Sequence, residues 1–148
     1  MVFRSHMDKA LEAARDAGAR GEVPVGAVLV AGDEVLAVAG NRTRELSDPT
    51  AHAEILVIRE AAARLGSERL TGADLYVTLE PCAMCAAAIS AARIARLYYG
   101  AADPKSGGVA HGARVFSHPQ AHHAPEVYDG IMEAECAALL RGFFADRR

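Results

Sequence analysis

Four side chains in two short stretches can do chemistry together. His52 and Glu54 flank Ala53, and Pro81-Cys82-Ala83-Met84-Cys85 sets two thiols three residues apart. One imidazole and two thiols form a donor set that zinc accepts in a tetrahedron, and catalytic zinc sites keep three protein ligands and one position open for water. Glu54 is then a spare carboxylate beside the metal. Zn2+ with two thiolates and a neutral imidazole sums to zero charge, so it acidifies its water less than a three-histidine site, and a neighbouring base becomes useful. Glu54 suits that role: it can take a proton from water at the metal and return protons to a substrate ring and its leaving group, as general base and then general acid. The expectation is one zinc per chain, held by His52, Cys82 and Cys85.

Each half alone has a plainer reading. C-x-x-C also serves redox chemistry or half of a structural zinc site. A structural site needs a fourth protein ligand, for which Cys136, His111, His118, His122 and His123 are the candidates. Cys136 falls on an apolar helical stripe, where a buried, inert thiol is expected, and the histidines fall in a loop. The two halves together, each preceding a helical pattern, point to catalysis.

The spacings demand particular elements. His52 and Glu54 lie about 200° apart around a helix, so they converge only from a first turn. Pro49-Thr50 supplies that start, with Thr50 as N-cap and Ile55, Ile58, Ala62 and Leu65 on the apolar stripe. Cys82 and Cys85 stand where a strand at 75–79 turns into a helix at 82–92, whose N-terminus favours their thiolates. That helix has almost no polar face and is expected to be buried. A strand at 96–100 follows, and strand, helix and strand within about 25 residues make a parallel crossover.

Upstream, Ser5 followed by Asp8 resembles a capping box, opening an amphipathic helix with Met7, Ala10, Leu11, Ala14 and Ala17 that runs to Gly18. Apolar runs at 25–30 and 35–38, separated by 31–34, read as a hairpin. From 100 to 125 Gly, Pro, His and Ala dominate, the composition of a functional loop with one short helix or strand near 109–116. Met132, Cys136, Leu139, Leu140 and Phe143 define a last amphipathic helix started by Asp129.

Composition sets the outer limits. With 148 residues, 51% hydrophobic and 24% charged, the chain reads as one α/β domain over 1–148. A chain of this length buries roughly 68–70% of its unfolded surface without staples, so a metal here serves function. No apolar run approaches a membrane span and no secretory signal opens the chain, which predicts a cytoplasmic protein without membrane contact. Three cysteines, two of them three apart, make no disulfide framework. A net charge of -3 excludes a strongly basic nucleic-acid coat but leaves room for a local patch. Of the 16 basic residues 14 are Arg, which suits phosphate forks and stacking, although a genome-wide bias gives the same usage.

H-x-E with P-C-x-x-C is the signature of zinc deaminases, and the chain resembles the bacterial tRNA adenosine deaminases of the cytidine and deoxycytidylate deaminase superfamily over nearly its whole length. The matching stretches are Glu22-Val23-Pro24-Val25-Gly26-Ala27-Val28, Gly40-Asn41-Arg42, Asp48-Pro49-Thr50-Ala51-His52-Ala53-Glu54-Ile55 and Leu75-Tyr76-Val77-Thr78-Leu79-Glu80-Pro81-Cys82-Ala83-Met84-Cys85. Tyr99-Gly100-Ala101, Asp103, Lys105, Glu135-Cys136-Ala137-Ala138-Leu139-Leu140 and Phe143-Phe144 continue the match.

The resemblance implies a three-layer α/β/α cytidine-deaminase-like fold with a central mixed five-stranded sheet, zinc between two helix N-termini, and a homodimer without organic cofactor. It also implies the substrate: the wobble adenosine, flipped out of the anticodon loop of an arginine tRNA and converted to inosine with release of ammonia. Zinc-activated water attacks C6 of adenine while Glu54 moves the protons. Asn41 matches a family asparagine that hydrogen-bonds the flipped nucleotide; on its own it also reads as a turn residue. Val25 and Pro24 match pocket wall, or serve as core at a strand start. Arg42 and Lys105 match positions near phosphates, with Asp103 in the same loop as Lys105 also assigned to substrate binding. Phe144, one residue off the core stripe that Phe143 occupies, is the stacking candidate, followed by Arg147-Arg148.

The chain departs from its relatives at His122-His123, at Pro104, and in ending at Arg148 without a basic tail. Two other functions are compatible with parts of the pattern. A small-molecule deaminase of the same fold, acting on guanine, cytosine or a nucleoside, would share the zinc chemistry and suits the net charge. A non-catalytic zinc-stabilised RNA-binding module would not need Glu54.

Overall fold

A computed structural model of the chain describes residues 5–146. The β-branched runs around Gly32 form the predicted hairpin: β1 (Gly26–Ala31) and β2 (Glu34–Gly40) pair antiparallel, with Gly26 opposite Gly40 and Ala31 opposite Glu34. Gly32 takes φ 61, the left-handed turn conformation that glycine adopts without a Cβ clash. Helix α1 (Met7–Ala19) lies directly on this hairpin. A Cβ on Gly26 would collide with the Ala10 carbonyl, and one on Gly40 would lie 2.6 Å from the Ala13 carbonyl oxygen.

Strand β3 (Asp74–Leu79) pairs antiparallel with β1, and α3 (Ala83–Ala92) carries the chain over to β4 (Arg96–Ala101), parallel to β3. This is the predicted crossover. β5 (Glu126–Tyr128) adds in parallel at the far edge, so the mixed five-stranded sheet runs β2-β1-β3-β4-β5. Two apolar layers sandwich it. On one face α2 (Ala53–Leu65) and α3 pack Val57, Ala61 and Ile89 against Leu29, Leu75 and Leu97. On the other, Met7 and Leu11 of α1 and Cys136 of α4 (Glu133–Ala145) meet Val28, Tyr76 and Tyr98. The architecture is the expected α/β/α sandwich. Among the described residues, no helix is long and apolar enough to cross a membrane.

Local details differ from the sequence expectations for identifiable reasons. Ser5 is not the N-cap of α1: its hydroxyl accepts the Met7 amide at 3.2 Å, Asp8 accepts the Lys9 amide, and His6 holds the cap position. Helix α2 begins at Ala53 rather than after Thr50, because the Asp48 carboxylate takes both the amide and the hydroxyl of Thr50 in an Asx turn. Asp129 belongs to a turn with Gly130 at φ 73, and α4 starts at Glu133 behind Met132 at φ 54. β5 escaped the sequence reading because three exposed residues carry no periodic pattern. The loop between β4 and β5 contains one short 3-10 helix, Val115–Ser117. Helix α3 is buried on one side only: Cys85, Ala86 and Ile89 face the core while Ala83, Met84, Ala87 and Ala91 are exposed.

Candidate active site

The starts of α2 and α3 bring the three candidate ligands together. His52 is the N-cap of α2, Cys82 is the N-cap of α3, and Cys85 sits in the first turn of α3. Neither cap residue uses its side chain on its own helix. At α2 that work is done by Asn41, at the end of β2, whose Oδ1 accepts the Ala53 amide at 2.8 Å. The imidazole is therefore left for a ligand. His52 Nδ1 lies 3.4 Å from Cys85 Sγ and 3.7 Å from Cys82 Sγ, and all three donor atoms lie within 4.8 Å of one another.

The three donors perturb one another strongly. A hydrogen bond from Cys85, then one with His52, holds the Cys82 thiol down to about 4. Cys85 is pushed up by that same bond and by burial, and the bond with Cys82 raises His52. One proton is thus shared where two thiolates would repel. A divalent cation releases it, because both sulfurs then have a charge to neutralise. Beside them Glu54 is 3% exposed, and burial pushes its carboxyl up to about 7. Glu54 Oε1 is the one fully buried side-chain polar atom among the described residues without a hydrogen-bond partner, and such an atom carries a real desolvation cost. Nitrogen and sulfur donors, a ligand count of three, and a carboxylate with one unpartnered oxygen lining the same cleft fit a zinc ion with one position left for water.

None of the proposed fourth protein ligands joins this cluster. Cys136 is buried in the opposite core layer, where burial pushes its thiol up to about 11. His111 Nδ1 bonds Glu80, His123 Nε2 bonds the Ile94 carbonyl oxygen, and His118 and His122 line a different cleft by α3.

The cleft over the cluster encloses about 240 Å³ and is walled by Val25, Asn41, Glu54 and Asp103. It runs into a larger one of about 520 Å³, bordered by Lys105, Leu140 and Phe144; Val23, Leu79, Asp103 and Ser106 are common to both. Phe144 is half-exposed, and Phe143, expected on the core stripe, is only partly buried, its ring edge-on to that of Phe144 with centroids 5.3 Å apart. Two assigned positions lie elsewhere. Pro24 is buried off the cleft wall, where a Cβ on Gly18 would lie 3.3 Å from its ring, and its exposed neighbour Val23 lines the cleft instead. Arg42 pairs with Glu45, Nε to Oε2 3.0 Å, over a separate depression shared with Arg20 and Arg59. Arg147-Arg148 fall outside the described residues. The sequence reading did not single out Val23, Thr43, Leu79 or Ser106 as cleft residues; their types carry no chemical signal, and only the fold collects them.

The relatives agree with this geometry. A profile of the cytidine and deoxycytidylate deaminase zinc-binding region matches residues 3–101. The tRNA-specific adenosine deaminase of Agrobacterium fabrum is 64% identical over 149 residues, covering 100% of this chain and 98% of that protein. A solved structure from a study of A-to-I editing by tRNA:A34 deaminases at the wobble position superposes with a TM-score of 0.91 at 65% identity, over 93% of this chain and 100% of that one. A guanine deaminase from Nitrosomonas europaea shares the fold, with a TM-score of 0.81 at 23% identity over 98% of this chain and 87% of that one. This chain belongs to the cytidine and deoxycytidylate deaminase family, in its branch of tRNA-specific adenosine deaminases.

Proposed function

We propose that the chain, acting as one domain, deaminates the wobble adenosine of a tRNA anticodon loop, with arginine tRNA as the first candidate, consuming one water and releasing inosine and ammonia. The observation that carries this reading is the buried Glu54 carboxylate, one oxygen of which has no partner, lining the same cleft as the zinc-type ligands. His52, Cys82 and Cys85 would hold the metal. When bound, zinc supplies Lewis acidity that lowers the pKa of a water. Glu54 takes a proton from the water that attacks C6, delivers it to N1 of adenine, and moves a second proton to the amino group that departs as ammonia.

Asn41 gives its side-chain oxygen to Ala53, so only its Nδ2 amide remains for the base, and it acts as a donor to a ring acceptor. Val25 packs against the base, and Asp103 borders it. In the adjoining cleft Lys105 offers charge to a phosphate and Phe144 a ring for a neighbouring base. Arg42 serves phosphates farther out. The apolar face of Ala83, Met84, Ala87 and Ala91, on the helix that carries Cys85, is the surface a second copy would cover in a homodimer. The reducing cytoplasm, where tRNA resides, keeps the ligand thiols available.

A free base would also fit a cleft of about 240 Å³, and the net charge of -3 favours a small substrate. The deciding experiment incubates the zinc-loaded protein with an arginine tRNA transcript and, separately, with guanine, cytidine and adenosine, measuring inosine and ammonia. Inosine in the tRNA alone is expected. Product from a free compound with none from tRNA overturns the proposal.

A further inference from the structure

Two buried carboxylates that belong to no part of the chemistry each gather the backbone of one side of the cleft mouth. Glu22 and Glu80 are each 2% exposed. Glu22, between α1 and β1, accepts the amides of Arg44 at 3.1 Å and Glu45 at 2.8 Å and the Thr43 hydroxyl at 3.3 Å. Glu80, just after β3, accepts the Asp103 amide at 3.0 Å on Oε1, where the His111 ring also bonds at 2.8 Å. Its Oε2 accepts three successive amides, those of Val109, Ala110 and His111, at 3.1, 2.9 and 3.1 Å.

Successive amides converging on one point form the kind of cradle with which loops bind free anions. Here the chain supplies the anion itself. At Glu22 burial raises the carboxyl, yet the amides around it outweigh that and hold it below the ordinary carboxylate value; at Glu80 three successive amides meet on one oxygen. The fit around Glu80 is close: a Cβ on Gly107 would lie 2.5 Å from its carboxylate. The segments so held form the two sides of the mouth. Thr43 lines the cleft on one side, Asp103 and Ser106 on the other, and Lys105 stands in the loop between them. Neither carboxylate belongs to the His52, Cys82 and Cys85 cluster.

We propose that Glu22 and Glu80 are positioning residues that fix segments 43–45 and 103–111 in their substrate-receiving form before RNA arrives, so that binding carries little loop-ordering penalty. This rests on the reading of the cleft as a tRNA deaminase site. The two segments are set separately, one after β2 by Glu22 and the other after β4 by Glu80, and each should loosen without the other.

The test uses the zinc-loaded full chain with Glu22→Gln and Glu80→Gln, each of similar shape but without the charge. Zinc content, amide hydrogen exchange, and kcat and KM on an anticodon stem-loop RNA are measured. Expected for Glu80→Gln is exchange at Val109, Ala110 and His111 at least about tenfold faster, with Arg44 and Glu45 unchanged; Glu22→Gln gives the converse. Both variants keep one zinc and raise KM at least about fivefold with kcat within about twofold, the signature of lost uniform binding. Glu80→Asp, which keeps the charge, recovers part of the KM. Gly107→Ala crowds the cradle from the other side and should reproduce the exchange pattern of Glu80→Gln, which decides the matter should that variant not fold. Unchanged exchange, chain-wide acceleration, or local acceleration with wild-type KM overturns the proposal. A wild-type chain inert on the stem-loop refutes the functional reading instead, and the exchange data still test whether the carboxylates hold the loops.

Discussion

Asn41 joins the fold to the chemistry, and two substitutions separate its roles. Its Oδ1 caps the Ala53 amide at 2.8 Å, and Ala53 itself is fully buried. Asn41→Ala removes the cap and strands a buried donor beside His52. The loss of an N-cap costs about 0.5–2 kcal/mol, and a stranded buried donor costs about 1–3 kcal/mol; these describe one group, so the total is about 1–3 kcal/mol. In a domain somewhat larger than 100 residues, each kcal/mol moves Tm by roughly 2–4 °C, giving a drop of roughly 2–12 °C. Asn41→Asp keeps an acceptor, and a negative charge at a helix N-terminus is favourable, so its melting stays near wild type. What it loses is the Nδ2 donor in the cleft, and it adds a second carboxylate near Glu54. Its kcat/KM on the stem-loop should fall at least about tenfold, one hydrogen bond together with charge repulsion. Calorimetry of the zinc-loaded proteins and steady-state deamination give both readings. Asn41→Ala melting like wild type would show that the cap does not hold α2, and Asn41→Asp with wild-type kcat/KM would remove the amide from the substrate.

Other outcomes follow from the same geometry. Glu54→Ala should retain one zinc by elemental analysis yet lose deamination by about 10²–10⁴-fold, and near-normal turnover refutes the proton-transfer role. Cys82→Ala or Cys85→Ala should release the metal, and unchanged zinc content would sink the ligand assignment. Glu22 has a folded pKa below its ordinary 4.5, so its stabilisation is present above that value and is lost as pH falls through the lower folded value. Glu22→Gln should accordingly flatten the acid limb of a Tm-against-pH curve below about 4.5, with a curve parallel to wild type counting against the charged form. Lys105→Ala should weaken binding across RNA sequences and reduce the salt slope by about 1; an unchanged slope takes Lys105 out of the interface.

The ligand set was legible because zinc constrains both residue type and spacing. His52 and Glu54 could converge only from a helix start, which is where α2 begins, although the residue that makes the start is Asn41 rather than Thr50. That cap comes from Asn41, 12 residues upstream across the Asp48 turn, whereas helix-start signals are read from the residues adjoining the helix. Periodicity identified α1, the hairpin and the crossover and located α2, but it misplaced the buried face of α2, which is Val57 and Ala61 rather than Ile55, Ile58, Ala62 and the exposed Leu65; β5 and the exposed side of α3 depend on what lies alongside them. The cleft walls escaped for a related reason: Pro24 and Val23 are adjacent and both apolar, and it is the folded chain that buries Pro24 and leaves Val23 exposed at the cleft. Glu22 and Glu80 stood within matched stretches, yet an acidic residue in a sequence does not show how many amides converge on it.

The glycine pair beneath α1 has a reach beyond packing. Gly26 and Gly40 are register partners, both pressed against the backbone of α1 at Ala10 and Ala13, and the chain passes from Gly40 straight into Asn41. The amino-terminal helix is thus the datum from which the Asn41 amide, proposed to meet the base, is measured, although it lines neither the ligand cluster nor the cleft. A methyl group placed at Gly40 would act like a shim under a gauge: the displacement passes along one peptide bond to Asn41 and from there to the helix that carries His52. Substrate geometry in this enzyme is therefore sensitive to the seating of a helix on the opposite side of the sheet.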